Sequence, residues 1–219
     1  MRVEIWSDIV CPWCYIGKRR FERALAGFPH ADEVEVVWRS FQLNPDHPKG
    51  ARVPLEESLA AKMGATVEQV RAMNARVKAI AAEEGLEYDF DRYKVVNTFD
   101  AHRLTHLAKA YNLSAELHER FLRAQLVEGE VLDDPDTLVR LAAEVGVPED
   151  EARRVLEGDD FAAEVEADSA ELRALGGNGV PFFVIDRRFG ISGAQPTEVF
   201  QRALAMAHDA ATQESPSGR

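Results

Sequence analysis

The 219-residue chain predicts an α/β fold, a four-stranded mixed sheet with helices on both faces and a large all-helical insertion. Three observations carry this. Residues 1–50 read as strand, helix, strand; from Pro54 to Gly176 the periodic signals are helical; and strand patterns return only at Val180 to Ile191, ahead of one last helix. If strands from the two ends of the chain share one sheet, the helices between them form an insertion that sits at one end of it.

Taken in order, Arg2 to Ser7 carries Val3, Ile5 and Trp6 in partial alternation and is a strand. Pro12 suits the first turn of a helix, where its missing N–H costs nothing; Ile16, Arg20, Phe21 and Leu25 follow at helical spacing until Gly27 and Pro29 end it. Glu33 to Phe41, with Val34, Val36, Val37 and Trp38, has the near-continuous apolar pattern of a buried strand. The right-handed crossover makes it parallel to the first. Asn44 to Gly50 is loop by composition. Thr66 and Gln69 then form a capping box for a helix closed by Gly85. Asn97 or Thr98 caps a helix through Tyr111, Ser114 opens one ending at Gly129, and Asp134-Pro135 starts one ending at Gly146. A shorter helix follows Pro148, and Asp160 caps the last, from Phe161 to Leu175. Each shows one apolar face, and no fixed repeat is present. Gly176 to Gly179 is a turn, Val180 to Ile185 a strand starting on Pro181, Asp186-Arg187 a hairpin turn to Arg188–Ile191, and Pro196 opens the final helix through Ala207. Trp6 and Trp38 are core strand residues, whereas His106, His118 and His208 read as solvated or partly buried helix residues. The tail from Thr212 to Arg219 is polar and expected to be disordered.

Composition bounds the function. Lys and Arg number 26 against 38 Asp and Glu; the net charge of −12 argues against nucleic acid or an anionic membrane as partner. No run approaches the roughly 20 apolar residues a membrane-spanning helix needs. Arg2 leads straight into a strand with no signal-peptide pattern, so the expected location is cytoplasmic. Structural disulfides are rare there, and a cysteine pair is expected to be catalytic, redox-sensing or metal-binding.

The chain has 2 cysteines, Cys11 and Cys14, around Pro12 and Trp13 at the strand-to-helix junction. At a helix N-terminus the free N–H groups and the dipole favour a thiolate, so Cys11 is the expected nucleophile. Cys14, one turn on, is expected to face inward and to resolve a mixed disulfide, since an i, i+3 spacing brings two cysteines within disulfide reach. Trp13 supplies bulk and an apolar platform but no charge, which predicts a less oxidising couple than a Cys-Pro-His-Cys loop. Asp8, three residues upstream, is a hydrogen-bonded strand-end carboxylate that could also relay a proton. Zinc is the rival reading. It needs four ligands, and His102 with His106 could complete the set only across a spacing far longer than a zinc finger's, so no metal is expected.

The ordered set of Ser7-Asp8, Cys11-Pro12-Trp13-Cys14-Tyr15, Phe41-Gln42-Leu43-Asn44-Pro45, Asn97-Thr98 with Ala101-His102-Arg103-Leu104, Gly179-Val180-Pro181-Phe182-Phe183 and Gly190-Ile191-Ser192-Gly193-Ala194-Gln195-Pro196 resembles the DsbA-family thioredoxin-fold oxidoreductases. Within them it is similar to the FrnE-like group, related to 2-hydroxychromene-2-carboxylate isomerase and kappa-class glutathione transferase. The resemblance implies a thioredoxin-like core at 1–50 and 177–211, a helical insertion subdomain at 51–176 and a tail at 212–219. It implies a cis Val180-Pro181 step beside the cysteines, and substrate contacts from Pro12, Trp13, Val180, Pro181, Asn97 and His102. The implied activity is thiol-disulfide exchange with protein or small-molecule thiols, without a cofactor beyond the cysteine pair and with glutathione as a candidate co-substrate. A glutathione-dependent isomerase or transferase on small aromatic or polyketide-like compounds is the alternative, and a redox-switched holdase a further one. The relatives of the isomerase type have serine where Cys11 stands, which weakens their reading here. Direction of exchange, and monomer against homodimer, stay open.

Overall fold

The computed structural model describes residues 1–214. β1 (Arg2–Ser7) pairs in parallel with β2 (Glu35–Ser40), placing Ile5 opposite Trp38. Between them α1 (Pro12–Ala26) makes the crossover. β5 (Phe182–Ile185) pairs antiparallel with the other edge of β1, and the hairpin partner β6 (Phe189–Ser192) closes the order β2-β1-β5-β6. Asp186 and Arg187 take φ of 47° and 58°, the left-handed pair that a tight hairpin turn requires. The mixed four-stranded sheet is therefore the one expected. Because β2 lies at its edge, Val36 and Val37 are only half buried, not fully buried as their apolar run suggests, and Glu33 belongs to a preceding 3₁₀ turn.

The segment between β2 and β5 holds α2 (Leu55–Met63), α3 (Val67–Glu83), α4 (Phe99–Lys109), α5 (Ser114–Arg123), α6 (Pro135–Glu144), α7 (Glu149–Glu157) and α8 (Ala162–Ala174). The Thr66–Gln69 capping box is present with both hydrogen bonds, and Asp134 accepts from the Thr137 N–H as a cap. Three expectations are corrected. The segment is not all helical: β3 (Val53–Pro54) and β4 (Lys94–Val95) pair antiparallel. Phe161, at φ 65°, holds the N-cap position of α8, and Asp160 does not cap it; the Asp160 carbonyl accepts from Arg103 Nε at 2.8 Å. Nor does the whole segment sit at one end of the sheet, because α8 packs back onto β2.

Alternation along β1 sends Val3 and Ile5 to one face, where Phe21 of α1 and Phe200 and Leu204 of α9 (Thr197–Glu214) complete an apolar cluster. Trp6 points to the opposite face, with Val184 and Leu172 of α8. α9 continues past the expected start of the tail: Thr212 lies within it and donates from Oγ1 to the His208 carbonyl, and residues 215–219 lie outside the described residues. Ile9 to Ile16, the segment around the cysteines, belongs to the largest cluster, with residues of α3 to α7 such as Val77, Leu104, Phe121 and Leu141. Among the described residues no helix is long and apolar enough to cross a membrane.

Candidate active site

Cys11 occupies the N-cap of α1 and Pro12 its first turn, as the sequence predicts. The Cys11 N–H donates to the Asp8 carbonyl and the Cys14 N–H to the Cys11 carbonyl, each at 3.0 Å, so the loop is pinned at both ends. Both cysteines are free thiols. Cys11 is 5% exposed and Cys14 1%. Burial, with Cys11 close by, pushes the Cys14 thiol well above its usual range.

The Val180-Pro181 bond is cis, and Cys11 Sγ donates to the Val180 carbonyl at 3.6 Å. The Pro181 ring comes this close to α1 because residue 17 is glycine: a Cβ there would stand 3.0 Å from Pro181 Cγ. On the other side Cys11, Pro12 and Trp13 border a cavity of about 300 Å³ with Leu55, Leu59 and Tyr93. Trp13 is 38% exposed at its edge. Asn74, from α3, lines the same cavity, and its Nδ2 has no hydrogen-bond partner among the described residues.

Two tyrosines that sequence reasoning missed hold the cysteine loop from outside. Tyr93 donates from its hydroxyl to the Val10 carbonyl at 2.5 Å, and Tyr88 to the Pro12 carbonyl at 2.7 Å. Burial raises both phenols far above their usual range, so they remain hydroxyl donors. The aromatic run Tyr88-Asp89-Phe90 with Tyr93, lying outside any helical pattern, was the available signal.

The side chains of Asp8, His102 and Asn97 make contacts of other kinds. Asp8 is fully buried; its carboxylate accepts from the Leu43 N–H at 2.7 Å and faces His102 Nε2 at 3.3 Å, and it is its backbone N–H that donates to Cys14 Sγ, at 3.4 Å. His102 therefore supports Asp8 from within the core. Thr98 holds the N-cap position of α4; Asn97, just before it, accepts from the Phe99 N–H at 2.9 Å and donates to the His47 carbonyl at 2.6 Å, beside a separate hollow with Gln42 and Lys49. His106 and His118 are buried, contrary to the solvated reading: His106 contacts Ser40 Oγ and Asp168, and His118 contacts Ser7 Oγ.

With His102 on Asp8 and His106 on Asp168, the rival zinc set does not converge on the cysteines. Among the described residues one other group brings metal-ligand types together, His30, Glu33 and His208, near the chain start. The His30 and His208 rings stack 3.9 Å apart, and His30 Nδ1 faces Glu33 Oε1 at 3.2 Å.

Residues 2–205 match the model of the DSBA-like thioredoxin domain. The chain belongs to that family. It is similar to a probable DsbA oxidoreductase of Streptomyces coelicolor, with 46% identity and a TM-score of 0.92 over 100% of this chain and 92% of that one. YwbO of Bacillus subtilis is 29% identical, covering 94% of this chain and 96% of YwbO. Two more distant structures share the fold. One is the cytosolic disulfide reductase DsbM of Pseudomonas aeruginosa, solved with GSH (TM-score 0.64, 20% identity, 99% of this chain and 100% of that one). The other is a 2-hydroxychromene-2-carboxylate isomerase (TM-score 0.70, 13% identity, 99% and 100%).

Proposed function

We propose that this DsbA-family protein is a thiol-disulfide oxidoreductase in which Cys11 exchanges with substrate and Cys14 resolves. The observation that carries the reading is the asymmetry of the two sulfurs. Cys11 borders the cavity at a helix N-terminus, while Cys14 lies beneath it with its thiol pushed up by burial. An incoming disulfide meets Cys11 first. Attack by Cys11 releases one substrate thiolate and leaves a mixed disulfide; attack by Cys14 on Cys11 releases the second and closes the Cys11–Cys14 bond, so that two electrons pass to the substrate. Run backwards, the same steps oxidise a dithiol.

Protein or small-molecule thiols fit this chemistry, and no cofactor beyond the cysteine pair enters it. Pro12, Trp13 and Val180 would contact the substrate, since they surround Cys11. Glutathione is a reasonable small thiol partner, by analogy of fold with the GSH-bound reductase. A second reading, a glutathione-dependent isomerase or transferase, is favoured by the apolar lining of the 300 Å³ cavity.

Insulin reduction and oxidation of reduced ribonuclease, measured on the unmutated protein and on Cys11→Ser, test the first reading. The expected outcome is turnover in at least one assay and a loss of about a hundred-fold or more in Cys11→Ser. Equal rates in both proteins would sink it. Glutathione-dependent turnover of an aromatic substrate that survives Cys14→Ala would support the second.

A further inference from the structure

Cys14 is the more deeply buried sulfur, yet resolution requires it to carry negative charge in that place. A carboxylate or thiolate taken out of water is tolerated only where hydrogen-bond donors face it. One does so here by its geometry, the Asp8 backbone N–H, which donates to Cys14 Sγ at 3.4 Å. The Ser7 side chain, one residue earlier, acts in the same sense on that sulfur, drawing its pKa down against the effect of burial.

The Ser7 hydroxyl has one proton, so what it can give Cys14 depends on its other partner. That partner is His118 of α5, whose Nε2 stands 2.9 Å from Ser7 Oγ. His118 is 2% exposed and stacks on Trp38 with ring centres 4.4 Å apart, which fixes the imidazole in place. Burial, with His102 of α4 and Lys18 of α1 close by, holds it well below the usual imidazole range, so the ring is neutral and carries a single N–H. If that proton is on Nδ1, Ser7 must turn its O–H toward His118 and offer Cys14 only a lone pair. If it is on Nε2, the imidazole donates to Ser7 and the Ser7 O–H is free for the sulfur.

We infer that Ser7 and His118 are positioning residues for the resolving thiol: His118 Nε2–H donates to Ser7 Oγ, and Ser7 O–H donates to Cys14 Sγ, making the buried sulfur able to attack. The inference rests on the proposed disulfide exchange. In the step concerned, the proton of Cys14 has gone to solvent base. Its thiolate then attacks the Cys11 sulfur of the mixed disulfide, the Cys11–Cys14 bond forms, and the bond to the substrate sulfur breaks. The electron pair leaves with the substrate thiolate, and Ser7 and His118 keep their protons throughout. In the reverse direction the same hydrogen bond stabilises Cys14 as the leaving group.

Two measurements test this. In Cys11→Ala protein, the Cys14 thiol is titrated by its ultraviolet thiolate absorbance; adding Ser7→Ala or His118→Phe should raise its pKa by about one unit, the size of a lost hydrogen bond to a charged group. His118→Gln, whose amide can still donate to Ser7, should restore most of the shift, whereas Phe keeps the ring stack on Trp38 but has no N–H. In protein with both cysteines, a chromogenic aromatic disulfide releases a first thiol through Cys11 and a second through Cys14. Ser7→Ala should slow the second release by about ten-fold and leave the first unchanged. Nitrogen NMR of the unmutated protein should show His118 as the Nε2–H tautomer. An Nδ1–H tautomer, or a Cys14 titration and second release unmoved by Ser7→Ala, would overturn the inference. Release of only one equivalent by the unmutated protein would instead overturn the disulfide-exchange reading beneath it.

Discussion

On one face of the sheet Val3, Ile5, Phe183 and Ile185 meet Phe21, Phe200 and Leu204, with the three phenylalanine rings 4.6 to 5.8 Å apart. On the other, the strands meet α8 through the apolar contact of Trp6 and Val184 with Leu172 and, around it, through charge. Glu4, 1% exposed, accepts from Arg39 and Arg187, and Asp168 of α8 accepts from Arg39 Nη1 at 2.9 Å and the Ser40 N–H at 2.8 Å, with His106 Nε2 3.0 Å away. Trp6 Nε1 adds a hydrogen bond to the Asp168 carbonyl at 2.7 Å. An apolar contact tolerates small shifts because dispersion and burial have no direction. Hydrogen-bonded ions do not, since each displaced partner leaves a buried charge exposed to its own desolvation cost. The apolar face thus binds α1 and α9 to the sheet, while the ionic face sets where α8 lies.

The comparison can be broken most severely at Phe183, which packs between Phe21 and Phe200. Phe183→Ala should cost about 4 kcal/mol in denaturant unfolding through the cavity it leaves. Asp168→Ala, on the opposite face, should cost about 3 kcal/mol by leaving the buried Ser40 N–H without its acceptor and His106 without its carboxylate, Arg39 keeping Glu4, and Asp168→Asn, which retains an acceptor for the Ser40 N–H, should recover part of that loss. No recovery in Asp168→Asn would show that the Ser40 hydrogen bond is not a reason for the first loss.

The same face should respond to pH. Burial raises the Asp168 carboxyl, but the hydrogen bonds from His106 and the Ser40 N–H outweigh it and hold the group below the usual carboxylate range. A carboxyl depressed on folding stabilises above its unfolded pKa of about 3.9, and that stabilisation is lost as pH falls through the lower folded value. Unfolding curves of the unmutated protein should therefore lose more stability below about pH 4 than those of Asp168→Ala. Parallel curves would contradict the assignment. The smallest effect is expected at Gly17, where the added Cβ of Gly17→Ala would press on Pro181 Cγ at 3.0 Å. The neighbour must give by a few tenths of an ångström, which should cost about 1 kcal/mol and be read as a fall in Tm.

The difference between the faces also marks how far the sequence could be read. Alternation in Val3, Ile5 and Trp6 and the helical spacing behind Pro12 announce β1 and α1, and the capping box at Thr66 and the cap at Asp134 announce their helices, because each signal is contained within a few residues. The two-residue strands Val53–Pro54 and Lys94–Val95 carry no such pattern, being defined only by each other. Helical periodicity likewise shows that α8 exists without saying which face it covers. The place of Cys11 and Cys14 at the start of α1 was legible from the proline between them. What Asn97 and His102 touch was not legible: their side chains are engaged by His47, Phe99 and Asp8, partners far off in the sequence or set by the loop before α4.

Local chemistry in the chain thus accounts for the cysteine pair at a helix start, the order of strands and helices, and the turn at Asp186-Arg187, all of which depend on neighbours in sequence. The environment of those sulfurs does not. Tyr93 reaches Val10 across 83 residues, His118 reaches Ser7 across 111, and Val180 reaches Cys11 across 169. Such contacts exist only once the inserted helices have packed around the loop, because a hydrogen bond between distant residues is specified by the geometry of the whole core and by no pattern within either segment.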